Sequence, residues 1–254
     1  MRFRLMHLLS AAFVGAMPLP ASAADSATPP PITSVVELFT SQGCSSCPPA
    51  DALMKSYIKQ DGVLVLSFNV DYWDNLGWKD TLASPKNSQR QRAYARTRGD
   101  GQVYTPQVVI NGSTHAVGSD RAGIDAGIKA TATKWKGLAV PLIAAAEGDS
   151  VVIAAPSADP ARAVSDEATL WLVKFTPRVE VAIPRGENSG HTIAYHNVVR
   201  EFTAVGHWTH AVTTARISHA NLTGCTPGTC AIILQQGNTG AILGAVWVPG
   251  VSGI

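Results

Sequence analysis

Two cysteines three positions apart, Cys44 and Cys47 in Gly43-Cys44-Ser45-Ser46-Cys47-Pro48-Pro49, have the side chains and the spacing of a redox dithiol. The chemistry is thiol–disulfide exchange, in which a thiolate attacks a disulfide sulfur through a mixed disulfide. A helix N-terminus beside the pair presents unpaired N–H groups and partial positive charge, and both favour thiolate over thiol. Pro48 and Pro49 are tolerated only in a first helical turn, where the N–H is unpaired in any case, so they mark a helix start beside the cysteines. Cys44 is then the attacking sulfur, and Cys47, one turn on, resolves the mixed disulfide. Glu37 interrupts an apolar run seven residues before Cys44. A carboxylate buried there is placed to take a proton from Cys47 during exchange; a solvated Glu at a strand edge is the plainer alternative.

The elements that would hold this pair are legible on both sides of it. Residues 34–39 (Ser-Val-Val-Glu-Leu-Phe) read as a strand, and residues 49–60 as a helix with Leu53, Met54, Tyr57 and Ile58 on its apolar face. Residues 63–70 (Val-Leu-Val-Leu-Ser-Phe-Asn-Val) form a near-continuous apolar run, suited to a strand buried on both faces. The result is a βαβ unit with the dithiol at its first turn. An aromatic and acidic loop follows at 71–78, with Asp71, Trp73, Asp74 and Trp78, which either shapes a substrate groove or packs between domains. Residues 84–98 are polar and basic and predict a surface helix ended by Gly99. A strand over 102–110 is interrupted by Pro106, Asn111-Gly112 predicts a tight hairpin, and 115–118 is its return strand. A helix then runs from Ser119 or Asp120 to about Thr133. From Leu138 the pattern changes to short β-type runs at 139–145, 150–155, 168–175, 179–183, 192–206, 212–219, 230–235 and 241–248, which predicts an antiparallel, sandwich-like domain.

Residues 34–133 resemble a thioredoxin-like domain with an inserted loop and helix at about 71–100. The run Glu37–Asp51, with Asp71-Tyr72-Trp73-Asp74, Gly77-Trp78 and Arg185-Gly186-Glu187-Asn188, is similar to a bacterial family of exported proteins of unassigned function. That resemblance implies an α/β thioredoxin-like domain with a mixed sheet, followed by a mostly antiparallel β domain. It also implies that Pro106 is a cis-proline lying against the dithiol, and that Thr105, before it, contacts substrate. Gly43 before Cys44 and the Ser-Ser dipeptide differ from thioredoxin. Because such residues tune thiol pKa and potential, the direction of exchange does not carry over.

The N-terminus sets the compartment. Arg2 and Arg4 precede an apolar stretch over 5–19 that is too short to span a bilayer, and Ala21-Ser22-Ala23 is a small-residue cleavage pattern. Residues 1–23 read as a secretory signal peptide, 24–33 as a disordered leader, 34–137 as the thioredoxin-like domain and 138–254 as the β-rich domain. The expected location is periplasmic or secreted, and the mature chain is not expected to span a membrane. Losing Arg2 and Arg4 balances the 18 acidic residues, and no basic run or aromatic stacking pattern points to nucleic acid. Four cysteines in an exported chain fit two disulfides, with three possible connectivities; pairing of Cys44 with Cys47 and of Cys225 with Cys230 is the simplest. Cys225 and Cys230 flank a Pro-Gly turn and read as a structural staple, with a second redox pair as the alternative.

The function these residues point to is thiol–disulfide exchange with a protein partner, with Trp73 and Trp78 beside Thr105 and Pro106 as substrate contacts, and no cofactor or metal. Two alternatives stay in view. One is a binding module whose dithiol is a closed structural disulfide. The other is copper or zinc handling by the two thiolates with a histidine such as His115. Glu187, Asn188, His191, Tyr195 and His196 cluster in one segment; Glu187 and His191 have the chemistry of metal ligands or of a general acid/base pair, and the plainer reading is a turn before a strand that faces the other domain.

Overall fold

A computed structural model describes residues 30–135, 138–157 and 167–250. The signal-peptide reading of 1–23, most of the leader and the boundary at 137 lie outside the described residues. The chain begins β1 (Ser34–Thr40), α1 (Pro48–Tyr57), β2 (Val63–Asn69), α2 (Pro85–Arg98), β3 (Gln107–Ile110), β4 (Thr114–Val117) and α3 (Arg121–Trp135). It continues β5 (Ile143–Glu147), β6 (Ser150–Ala155), β7 (Ala168–Ala182), β8 (Thr192–Trp208), β9 (Thr213–Ser218), α4 (His219–Leu222), β10 (Cys230–Gln236) and β11 (Ile242–Trp247). Eight strands form one mixed sheet in the order β11-β10-β7-β8-β2-β1-β3-β4, and β5-β6-β9 form a second, antiparallel sheet.

Local chemistry fixes the boundaries. Cys47 is the N-cap of α1, with prolines in its first turn. The Ser84 hydroxyl accepts from Lys86 N at the start of α2, and Gly99, left-handed at φ 78°, closes it. Asn111 and Gly112 take φ 47° and 66° in the β3–β4 hairpin, as a primed turn requires. The runs at 168–175 and 179–183 are one strand, β7. Pro177, which cannot donate to a ladder, lies past the last β10 partner, where that side of β7 is an edge.

Alternation along the strands sorts the core by face. Val36 and Leu38 of β1 pack on Ala50, Met54 and Tyr57 of α1, and Ile124 of α3 joins them. Val35 and Phe39 point the other way, into a cluster with Phe68, Tyr94 of α2, Val173 and Ile233. The second sheet covers β7 and β10 through Val151, Ile153, Leu170, Ile217 and Ile232, with Trp208 among them. The large sheet curls enough for Ile242 N to donate to Asn111 O at 2.9 Å.

β2 and β8 run parallel and meet at Ser67 and Val198, so strands from both halves of the chain share one sheet. Beyond β10, the paired ends of β7 and β8 project as an arm. Ile183, Ile193, Tyr195 and Val198 on it pack with Trp78 and Leu82. This arm carries the loop 183–191 to the start of α1.

The helix expected at the surface is not a surface helix. Asn87, Ser88, Arg90, Gln91 and Tyr94 of α2 are buried. Their partners are polar groups inside the sheet: Asn87 Nδ2 donates to Asn69 O at 2.9 Å, and Gln91 Nε2 to Gln107 Oε1 at 2.8 Å. Among the described residues no helix is long and apolar enough to cross a membrane.

Candidate functional site

Cys44 and Cys47 form a disulfide with Cα atoms 5.4 Å apart, and Cys225 and Cys230 form a second. The first is set at the end of β1 by a tight turn in which Cys44 N donates to Ser41 O and Cys47 N to Cys44 O. Both sulfur-bearing residues are covered, at 1% and 0% exposure, while Ser45 and Ser46 between them face solvent. Cys225 and Cys230 lie in the core beneath the second sheet.

Three segments converge on this turn. The first is the loop after β2. Trp78 Nε1 donates to Gln42 Oε1 at 2.8 Å, and Gln42 N donates to Asp80 Oδ2 at 2.8 Å. A Cβ on Gly43 would lie 3.1 Å from Trp73 Cβ, so a glycine there leaves room for the Trp73 backbone. Trp73 Nε1 reaches Thr105 Oγ1 at 2.8 Å. The second segment is the turn before β3, where the Thr105–Pro106 bond is cis. A Cβ on Gly118 would meet Pro106 Cβ at 2.9 Å and Ala50 Cβ at 3.0 Å, which places Pro106 beside the first turn of α1.

The third segment is the β7–β8 loop. Asn188 Nδ2 donates to both Gln42 O and Cys44 O, each at 2.9 Å. Ser45 N donates to Glu187 Oε2 at 3.2 Å. Sequence reasoning singled out this loop but not its contact with the disulfide, which joins residues 144 apart.

Glu37 is buried but does not belong to this convergence. It shares the β1 face of Val35 and Phe39, opposite the face that α1 covers. Arg90 Nε donates to Glu37 Oε1 at 2.9 Å, and the Tyr94 hydroxyl donates to Glu37 Oε2. Arg90 also reaches Gln235 Oε1 at 3.0 Å and lies 4.0 Å over the Phe202 ring. Burial disfavours the Arg90 charge, yet Glu37 and Tyr94 hold its pKa above the ordinary value. The structure thus ties Glu37 to a buried ion pair that joins β1, α2 and β10.

A buried carboxyl group, Asp51, follows Cys47 by four residues and so lies on the same helical face. Thr40 Oγ1 donates to its Oδ2 at 3.2 Å, and its Oδ1 is buried without a partner. Burial raises its pKa well above the ordinary value, the Thr40 bond opposes this, and the Asp80 charge adds to it. The Tyr195 hydroxyl, also buried without a partner, is raised by burial and then by Asp51 and Asp80. Asp51 lies inside the quoted motif, and the structure shows that it is buried.

His115 is engaged elsewhere. Its Nδ1 meets the Tyr104 hydroxyl at 2.8 Å and its Nε2 meets Asp100 Oδ2 at 3.2 Å. His191 Nδ1 lies 3.3 Å from Asn188 O, within its own loop. Among the described residues no group of three or more His, Cys, Asp or Glu is arranged to hold a metal ion.

Residues 35–235 match the model of a family described as a protein of unknown function, DUF1223. The chain belongs to the DUF1223 family. A crystal structure of protein AGR_C_4864 from Agrobacterium tumefaciens is similar at 35% identity and a TM-score of 0.74, over 88% of this chain and 97% of that one. A structure named HBP35 of Porphyromonas gingivalis is similar in fold at 13% identity and a TM-score of 0.60, over 89% of this chain and 77% of that one. No curated protein matches the chain. The family match spans the disulfide turn, Asp51, the cis-proline and the β7–β8 loop together.

Proposed function

We propose that this DUF1223 protein is an exported thiol–disulfide oxidoreductase acting on protein partners, on a thioredoxin-like scaffold. The observation that carries the reading is the Cys44–Cys47 disulfide at the N-terminus of α1, with cis-Pro106 packed beside that first turn. The βαβ order of β1, α1 and β2 supports the scaffold, and the two disulfides with the leader pattern of residues 1–23 support a periplasmic or secreted location.

Exchange begins when a partner thiolate attacks Cys44 Sγ. A mixed disulfide forms as the Cys44–Cys47 bond breaks, and Cys47 Sγ leaves with the electron pair. Asp51, whose pKa burial raises well above the ordinary carboxylate range, is the group we assign as proton source for Cys47. A second thiolate of the partner then attacks the partner's own sulfur in the mixed disulfide and releases Cys44 as thiolate. The partner departs oxidised, two electrons have moved to the Cys44–Cys47 pair, and the reverse sequence oxidises that pair. Thr105 and Trp73, hydrogen-bonded to each other beside Pro106, are the side chains we assign to the partner's approach.

Replacing Cys47 by serine removes the resolving sulfur. Cys47→Ser is expected to accumulate mixed disulfides through Cys44 in a periplasmic extract. An empty trap together with a Cys44 thiol pKa near the unperturbed ~8.5 would defeat the proposal.

The near-complete cover of both cysteines favours a second reading, a binding module with a structural disulfide. A reduction potential below about −300 mV, beyond the reach of a glutathione pool, decides for it.

A further inference from the structure

The β7–β8 loop holds the disulfide turn with the groups that a bound polypeptide would offer. Glu187 gives a carboxylate to Ser45 N, and Asn188 gives an amide to the carbonyls of Gln42 and Cys44. Both cysteines are covered and this loop is bonded to the turn that carries them, so a chain that reaches Cys44 from this side displaces the loop and satisfies the same three backbone groups. An extended chain with an acidic side chain does so: its carboxylate replaces Glu187 and its own N–H groups replace Asn188.

Beside the loop lies a cleft of about 670 Å3 between α1 and the arm. Pro48, Pro49 and Ala52 give it an apolar wall, and Lys55 and Arg178 give it positive character. Lys55 makes no ion pair among the described residues. Arg178 pairs with Glu180 on the open surface, an interaction worth about 0–1 kcal/mol that a partner carboxylate can replace. Burial lowers the pKa of His196, and Arg178 and Lys55 push it the same way. Glu187 is the only acidic residue in the lining, and its carboxylate is already engaged by Ser45 N.

We propose that the cleft between α1 and β8 is the docking groove for an acidic, extended segment of a partner polypeptide, which seats as the Glu187–Asn188 loop lifts away. This deepens the exchange reading by naming the partner chemistry, although the groove binds whether or not exchange follows.

The test uses the oxidised full chain and two labelled peptides. Each carries a central serine in place of the reacting cysteine, flanked in one by aspartates and in the other by lysines. At low salt the aspartate peptide is expected to bind and the lysine peptide not to. Lys55→Glu is expected to weaken the aspartate peptide on the order of tenfold. Glu187→Ala, which frees Ser45 N, is expected to strengthen it. Equal binding of the two peptides, or no change in Lys55→Glu, overturns the groove. The aspartate peptide with its cysteine restored as a free thiol then reads exchange separately, through the mixed disulfide it forms with Cys44. Binding without exchange upholds the groove and removes the oxidoreductase reading.

Discussion

Replacing Asn188 by alanine removes one side chain that latches the cover over the Cys44–Cys47 disulfide. Asn188 is 5% exposed and donates two hydrogen bonds of 2.9 Å to carbonyls on either side of Gly43. The loop's own fold does not use that amide: Gly190 N donates to Ile183 O at 2.8 Å and His191 N to Asn188 O at 3.2 Å, both from backbone. At about 1 kcal/mol per bond, the latch is worth about 2 kcal/mol, and its loss raises the fraction of time the cover stands open by roughly thirtyfold. An attacking thiol must approach a sulfur that the closed state hides. Where the cover recloses faster than the thiol attacks, the reduction rate follows that open fraction. Wild type and Asn188→Ala would be treated with excess dithiothreitol, alkylated at intervals and analysed by peptide mass spectrometry. The expected result is reduction of Cys44–Cys47 accelerated by roughly ten- to thirtyfold. Cys225–Cys230, buried in a different cluster, is the internal control and should keep its rate. If Cys44–Cys47 is reduced at the wild-type rate within about twofold, with an unchanged melting temperature, the loop is not the barrier and the covering argument fails.

Two other substitutions examine the buried charges. Asp51 has a folded pKa above its unfolded one, so the native state holds a proton that the unfolded chain has released. Stability therefore falls as pH rises from the unfolded carboxylate range, near ~4, towards the folded pKa. Asp51→Asn is expected to remove that slope, stabilise the protein by about 1–3 kcal/mol at pH 7–8, and match wild type near pH 3 in denaturant titrations; parallel pH profiles would contradict it. The same variant should slow exchange, because the leaving Cys47 thiolate loses its proton donor. Arg90→Met strands Glu37 inside the sheet and should cost about 3–5 kcal/mol by thermal melting, with recovery when Glu37→Gln is added; no recovery would mean that Arg90 acts mainly through its packing on Phe202.

What the sequence made legible is what neighbours in the chain decide. The prolines after Cys47, the Ser84 cap, Gly99 and Asn111-Gly112 each set a boundary by local backbone chemistry, and those boundaries agree with the structure within about a turn. Hydrophobic periodicity could not show that α2 turns inward. Its buried face is polar, and its partners Glu37 and Gln235 lie 53 and 145 residues from Arg90. An isolated helix with that composition reads as solvated because each polar group looks unpaired until the sheet supplies its partner. Glu37 was singled out for the same reason: a carboxylate in an apolar strand signals burial, but only three dimensions show which face it is buried on.

The disulfide's cover was hidden more deeply, because it depends on how the two halves of the chain are joined. β8 pairs with β2 at Ser67 and Val198, and Asn197, left-handed at φ 47°, donates from Nδ2 to Val65 O at 2.9 Å. That junction fixes where the arm leaves the sheet, and so brings Asn188 onto the carbonyls flanking Gly43. Tyr195 lies on the same arm, two residues from Asn197, and its hydroxyl feels the charges of Asp51 and Asp80. Lifting the loop therefore does more than expose Cys44. A motion of the arm that let water reach the unpartnered Oδ1 of Asp51 would lessen the desolvation that raises its pKa. One β-hairpin thus carries both Asn188, bonded to the disulfide turn, and Tyr195, whose hydroxyl feels the Asp51 charge.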